Sequence, residues 1–219
     1  MAGLGPEVVT AGVRRPRLVL ASASPARLAT LRAAGIDPEV LVSGVAEDDM
    51  TGTPVQVVTE LAQRKAVAAA AGLAAGPALV LGADSLLELD GQAWGKPADP
   101  DEAAVRWQAM RGRAGVLHTG HALVEVDTHG HVGSPLVRVA SATVHFAPIS
   151  DAEIAAYVAT GEPLTVAGAF TIDGLGGAFI DRIEGDPHTV VGLSLPLLRR
   201  MLAEIGVSWT ALWTSSEPG

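Results

Sequence analysis

The chain of 219 residues contains no cysteine. That excludes disulfides, thiolate nucleophiles and thiolate metal sites, and it is compatible with a reducing, cytoplasmic compartment. Aromatic residues are scarce, at 4%. A core must therefore come from Val, Leu, Ile and Ala, and an apolar fraction of 48% is ample for one. Basic residues are outnumbered, 15 Lys and Arg against 24 Asp and Glu, giving a formal net charge of −9. A chain of that sign lacks the positive field that replaces counterions on a nucleic-acid backbone, so no nucleic-acid partner is expected. Any phosphate compound must be held by a few local cations, backbone amides and a metal. Residues 1–16 lack the basic start and apolar run of a signal peptide. The charge-free run from Ala66 to Ala83 approaches the length of a membrane span. It is rich in Ala and Gly and broken by Pro77, so it reads as the end of a buried helix, a turn and a buried strand, with no membrane partner.

What is present alternates between strand and helix signals. Arg17 to Ala21 predicts a first strand. Ser24-Pro25 predicts a helix start, with Ser as cap and Pro in the first turn, and Gly35 its end. Val40 to Val42 predicts a second strand, Thr53-Pro54 a helix running to about Gly72, and Ala78 to Leu81 a buried strand leading into Gly82-Ala83-Asp84. Asp90-Gly91 between Leu86–Leu89 and Ala93-Trp94 is a hairpin signal. Pro100 to Met110 predicts a helix, and His118 to Glu125 and Leu136 to Phe146 predict two strands. Ser150-Asp151-Ala152-Glu153 fits a capping box. Ala178 to Ile180 predicts a strand and Leu195 to Ile205 a final helix. The fold class is α/β, with a mixed twisted sheet flanked by helices.

Four segments carry candidate chemistry. Ser22-Ala23-Ser24-Pro25-Ala26-Arg27 lies between a strand and a helix N-terminus, where unpaired N–H groups attract anions and Arg27 can fork onto phosphate oxygens. Taken alone it also reads as an ordinary cap with a surface arginine. Asp84 follows a buried strand, where a carboxylate can orient water or hold a metal; alone it is also a turn residue. Lys96, between Gly95 and Pro97, and Lys65, on an apolar helix face, can each place an ammonium on a phosphate, or can simply be solvated or snorkelling. Glu47-Asp48-Asp49 can supply oxygen ligands to a hard cation, or form a solvated turn. No histidine pair shows metal spacing, since His118 and His121 would point to opposite faces of a strand.

The order of these pieces resembles the Maf (septum-formation inhibitor) family. Leu18-Val19-Leu20-Ala21-Ser22-Ala23-Ser24-Pro25 with Arg27 is similar to its opening signature, and Leu61-Ala62 with Lys65-Ala66 to its second block. Leu81-Gly82-Ala83-Asp84, Asp90-Gly91 and Gly95-Lys96-Pro97 resemble its third. Thr119-Gly120, Tyr157 with Gly161-Glu162-Pro163-Leu164, Ala167-Gly168 and Val191-Gly192-Leu193 complete the likeness. It spans residues 17–207, with 1–16 as a leader and 208–219 as a C-terminal tail.

The resemblance implies a two-lobed fold around a central cleft, similar also to inosine triphosphatases. It implies hydrolysis of a nucleoside triphosphate to monophosphate and pyrophosphate, possible clearance of modified nucleotides, a divalent cation (Mg2+ or Mn2+), and a homodimer. By matching position, Asp84 is the general base and a metal ligand with Glu47. Ser22, Ser24, Arg27, Lys65 and Lys96 bind the phosphates. The chain departs from the family at Ala26, Ala46 and Val166, and at Asp173, where a pyrimidine-specific subgroup has glutamine. A carboxylate accepts from an N–H donor and cannot donate to a carbonyl, so Asp173 is the candidate for base recognition and leaves a guanine-type or methylated base open. Two alternatives remain: a nucleotide-binding cell-division regulator with little turnover, and a metal-dependent phosphoester hydrolase releasing orthophosphate.

Overall fold

The computed structural model describes residues 16–46, 50–74 and 76–214. In chain order the elements are β1 (Leu18–Leu20), α1 (Pro25–Ala33), β2 (Glu39–Val40), α2 (Pro54–Ala71), β3 (Ala78–Leu89), β4 (Gln92–Trp94), α3 (Pro100–Met110), β5 (Ala114–Val126), β6 (Leu136–Phe146), α4 (Asp151–Ala159), β7 (Ile180–Glu184), α5 (Pro187–Val191) and α6 (Leu195–Glu204). Short 3-10 turns lie at Glu162–Thr165, Ala167–Ala169, Leu175–Phe179 and Trp209–Leu212. Local chemistry sets most helix starts. Ser24, Thr53, Asp99, Asp186 and Ser194 each accept a backbone N–H as N-cap, and a proline follows in the first turn. Thr53/Gln56 and Ser150/Glu153 form capping boxes.

The seven strands make one mixed sheet, ordered β2-β1-β3-β5-β6-β7, with β4 also on β3. β1 runs parallel to β2 and β3, and all other pairings are antiparallel. One face of the sheet carries two separate cores. Around α1 and α6 the core is aliphatic, with Leu20, Leu31, Leu81, Leu123, Leu198 and Met201. Around α3 and α4 it is aromatic: Trp107 meets Phe146, Tyr157 and Phe179 edge-to-face at 5.4–5.9 Å. These cores define two lobes joined by the long strands. On the opposite face, α2 covers the first lobe with Ala62, Ala66, Ala69 and Ala70 against Val80, Ala122 and Val124.

The sheet corrects several expected boundaries. Gly82-Ala83-Asp84 was expected after the end of a strand, but β3 runs unbroken from Ala78 to Leu89 and Asp84 sits in its middle. Gly82 is not a turn residue. A Cβ there would overlap the Ala62 carbonyl oxygen and come within 2.7 Å of Ala66 N, and one at Gly120 would overlap the Val58 carbonyl. Glycine is required because α2 lies with its backbone against the sheet. The strand expected at Ala178–Ile180 starts only at Ile180, because Leu175–Phe179 winds into a 3-10 turn; the second strand is only Glu39–Val40. The body continues past residue 207: Leu212 is buried, and Thr214 N donates to the Gly35 carbonyl at 2.7 Å. No helix among the described residues is long and apolar enough to cross a membrane.

Gly120→Ala should lift α2 from the sheet and cost about 3 kcal/mol, in the range of overpacked cores. Urea unfolding measures it, and a loss below about 1 kcal/mol would mean that α2 has slack to move.

Candidate active site

β1 and β4 both pair with the same edge of β3, at Leu79–Leu81 and at Leu87–Leu89. Between them the edge from Gly82 to Leu86 has no strand partner among the described residues. β1 leads directly into Ser22 and the N-terminus of α1. β4 runs back along β3 to Trp94, opposite Leu87, and then to Gly95 and Lys96. The open stretch bearing Asp84 is thus flanked by a helix N-terminus on one side and the Lys96 loop on the other.

On the α2 face, Lys65 Nζ donates to Asp84 Oδ1 at 2.6 Å, and both side chains are about nine-tenths buried. Register places Asp84 beside Gly120, and two residues from Gly82 on the same face. The close approach of α2 at those glycines brings Lys65 within reach. An isolated buried charge is costly, whereas this pair answers itself.

On the other face Ser85 and Thr119 stand between the two apolar cores. Arg27 is committed there: Nη1 donates to Ser22 Oγ at 3.0 Å, Nη2 to Ser85 Oγ at 3.0 Å, and Nε to the Gly192 carbonyl at 2.8 Å. Ser85 and Thr119 hydroxyls lie 2.9 Å apart, and Thr119 donates to the Thr189 carbonyl at 2.8 Å. Ser22 Oγ also accepts from Ser24 N at 3.2 Å, and Ser24 Oγ from Arg27 N at 3.4 Å. The expected trio of Ser22, Ser24 and Arg27 is therefore one connected unit, tied to the residue next to Asp84.

Beneath it, His121 is fully buried, and its Nε2 accepts from Ser194 N at 2.8 Å. Burial, and then the neighbouring Arg27, push its imidazole down to about 4. Asp186 opens α5 and accepts from the Ser194 hydroxyl at 2.6 Å. Burial opposes its charge, but that hydrogen bond and those from His188 and Thr189 hold the carboxyl below its ordinary range.

Lys96 is exposed and makes no ion pair among the described residues. Its neighbour Gly95 accepts at its carbonyl from Gly168 N at 2.9 Å and Arg106 Nη1 at 2.6 Å. Gly168 belongs to the arm that carries Asp173. Asp173 is exposed and accepts from the Thr171 hydroxyl; no hydrogen bond joins it to Asp84, Lys65 or Lys96. The arm is shaped by Glu162, whose carboxylate accepts from Tyr157 OH at 2.8 Å and from Leu175 N and Gly176 N at 2.9 Å each. Burial works against the Glu162 charge, but those N–H donors keep its carboxyl low. Burial, and then Glu162, push the Tyr157 phenol up.

The structure thus joins Ser22, Ser24 and Arg27 in one unit and Lys65 with Asp84 in another. Lys96 sits at the far end of the open edge, and Asp173 stands apart. Glu47, with Asp48 and Asp49, lies outside the described residues. Among the described residues no group of three or more acidic or histidine side chains is placed to hold a metal. Sequence reasoning met Thr119 only within a family-like motif and His121 only as a rejected metal ligand, and it missed Thr189, which gave no local signal. It also missed a global one: Lys65 and Lys96 are the only two lysines in the chain.

The His121 environment predicts a pH dependence. Its folded value lies below the ordinary 6.5, so the neutral form is favoured on folding. Stability is complete above about pH 6.5 and falls as pH drops towards 4, by up to about 3 kcal/mol. His121→Gln should flatten that part of the urea-midpoint profile between pH 7 and 4.5. Parallel profiles for the two proteins would assign the loss elsewhere.

The chain is similar to known proteins over most of its length. The family model described as Maf-like protein matches residues 17–205. A nucleoside triphosphate pyrophosphatase of Salinispora tropica is 60% identical over 211 residues, covering 92% of this chain and 91% of its own. Proteins of the same name from Streptomyces coelicolor and Rhodococcus jostii are 56% and 52% identical. The first covers 93% of this chain and 97% of its own length, the second 90% and 96%. With ordered motifs, an open strand edge carrying Asp84, and a family match across nearly the whole described body, this chain belongs to the Maf-like protein family.

Proposed function

We propose that this chain is a nucleoside triphosphate pyrophosphatase, cutting the α–β phosphate link to release pyrophosphate and the nucleoside monophosphate. One observation carries the reading: Asp84, paired with buried Lys65, lies on a strand edge that has no strand partner among the described residues, between a helix N-terminus and an exposed lysine. Relatives that match over nine-tenths of the chain bear the name of this activity.

The reaction needs an oriented water, a proton acceptor and neutralisation of the leaving pyrophosphate. Asp84 accepts the proton as the water oxygen bonds to the α-phosphorus and the bond to the β-phosphate bridging oxygen breaks. Lys65 fixes the Asp84 carboxylate and adds positive charge beside it. Ser22, Ser24 and the first N–H groups of α1 bind phosphate oxygens, with Arg27 holding Ser22 and Ser85 in place. Lys96 meets the phosphates from the opposite end of the edge. A hard divalent cation, Mg2+ or Mn2+, fits a site that offers carboxylate oxygens, since such ions take one or two carboxylates and complete their shell from water and phosphate. Asp84, with Glu47, is the set that would hold it, and its chemistry is charge neutralisation on the triphosphate. Cytoplasmic action on modified nucleotides, as a homodimer, belongs to the same proposal.

The test is pyrophosphate release across normal and modified nucleoside triphosphates, with and without Mg2+ or Mn2+. Equimolar pyrophosphate and monophosphate, dependent on metal, is the expected result. Orthophosphate as product, or nucleotide binding without product, would replace the reading with one of its rivals. Asp84→Asn should keep nucleotide binding and lose about 10²- to 10⁴-fold in turnover, the usual contribution of a positioned base; near-normal turnover would remove Asp84 from that role. Asp173 is proposed to accept from an N–H on the base. Asp173→Gln should reorder the preferred bases in the same assay, and an unchanged ranking would place base selection elsewhere.

A further inference from the structure

The Lys96 loop is gripped at both ends by two side chains from α3. Arg106 Nη1 donates to the Gly95 carbonyl at 2.6 Å. One turn earlier, Glu102 Oε2 accepts from Ala98 N at 2.7 Å. The two are bonded to each other, with Arg106 Nε donating to Glu102 Oε1 at 3.0 Å. The guanidinium lies 5.7 Å from the centre of the Trp94 ring, the last residue of β4 before the loop. Buried Pro97 lies between the two gripped positions, and Asp99 accepts Glu102 N at 2.8 Å where the loop becomes helix. Only Lys96 is left to project.

An exposed i,i+4 pair on a helix is ordinarily a minor stabiliser. This pair differs in where it points. Arg106 is only 13% exposed, and each partner uses a remaining valence on the loop backbone. The Ala98 N–H, and then Arg106, hold the Glu102 carboxyl below its ordinary range. α3 does not need it to stay folded in place. Asp99 caps the helix, and Ala103, Trp107 and Met110 anchor its buried face.

We propose that Glu102 and Arg106 are positioning residues for the pyrophosphatase reaction, a clamp that fixes the backbone on either side of Lys96 so that its ammonium meets the phosphates in one place. This rests on the reading of Lys96 as a phosphate ligand. Fixing a charge in advance removes a reorganisation cost when the leaving group's charge develops. The Gly168 N–H on the same Gly95 carbonyl adds a link to the arm that carries Asp173.

The test is a double-mutant cycle on kcat/KM for pyrophosphate release, together with amide hydrogen exchange at Lys96, Ala98 and Gly168. Arg106→Met should lower kcat/KM about tenfold, the scale of a lost bond to a charged donor, and speed exchange at those amides. Arg106→Lys should recover part of the loss. In a Lys96→Ala background, Arg106→Met should have little further effect, because residues that act through one another are not additive. Equal fold-losses with and without Lys96, unchanged kcat/KM, or unchanged exchange would each overturn the clamp. If the wild-type protein releases no pyrophosphate, the functional reading falls, while the exchange measurement still decides whether the clamp holds the loop.

Discussion

Contact between the backbone of α2 and the backbone of the sheet is the constraint on which the site depends. Gly82 and Gly120 remove the side chains that would hold the helix off, and the Ala-rich face of α2 completes the fit. At that separation Lys65 meets Asp84 directly, with both groups removed from water. Had either glycine carried a Cβ, the helix would shift, and two charges that answer each other would become two buried charges partly unpaired. The same packing accounts for the buried positions of the charge-free run from Ala66 to Ala83: Ala66, Ala69 and Ala70 of α2 cover Ala78 and Val80 of β3.

A second constraint is topological. Two strands share one edge of β3 and leave a gap, and the gap coincides with the boundary between an aliphatic and an aromatic core. Apolar packing fails along that boundary because Ser85, Thr119 and His121 occupy the sheet there. Hydrogen bonds satisfy them instead: Arg27 donates to Ser85, Thr119 to the Thr189 carbonyl, and Ser194 N to His121. All three phenylalanines and the single tyrosine lie on the aromatic side or pack against it. These rings fill the core around α3 and α4, while Trp209 packs on the aliphatic core, and a polar seam separates the two.

Much of this was legible in the residues. Proline after a capping side chain marked the helix starts, and Asp90-Gly91 marked the hairpin, where both residues adopt positive φ. The spacing of Pro100 to Met110 gave α3 its full length. What failed were positions where local signals are ambiguous. A glycine before an aspartate reads as a turn, and only the helix lying over Gly82 shows that it is a point of close approach within a strand. Lys65 on an apolar face read most simply as snorkelling, because its partner is 19 residues away in sequence. In the glycine-rich segment after Gly174 the strand was expected from Ala178 and starts at Ile180, since the shape of that segment is set from outside by Glu162, a carboxylate 13 residues upstream of the Leu175 amide it binds.

The net charge of −9 finally explains why positioning matters so much in this chain. A triphosphate approaching the protein meets repulsion at long range, moderated only by salt screening over roughly 10 Å. Capture therefore depends on contacts that act at hydrogen-bond distance. In the proposed site one of the two lysines is locked against Asp84 and the other projects from a loop whose neighbours on either side are held by α3. Flexible ammonium groups spread over a basic surface can find a phosphate by averaging over many poses. Two lysines in an acidic protein cannot, and their usefulness depends on the backbone that holds them. A clamp on the Gly95–Ala98 loop and a close-packed α2 are thus two answers to the same electrostatic deficit.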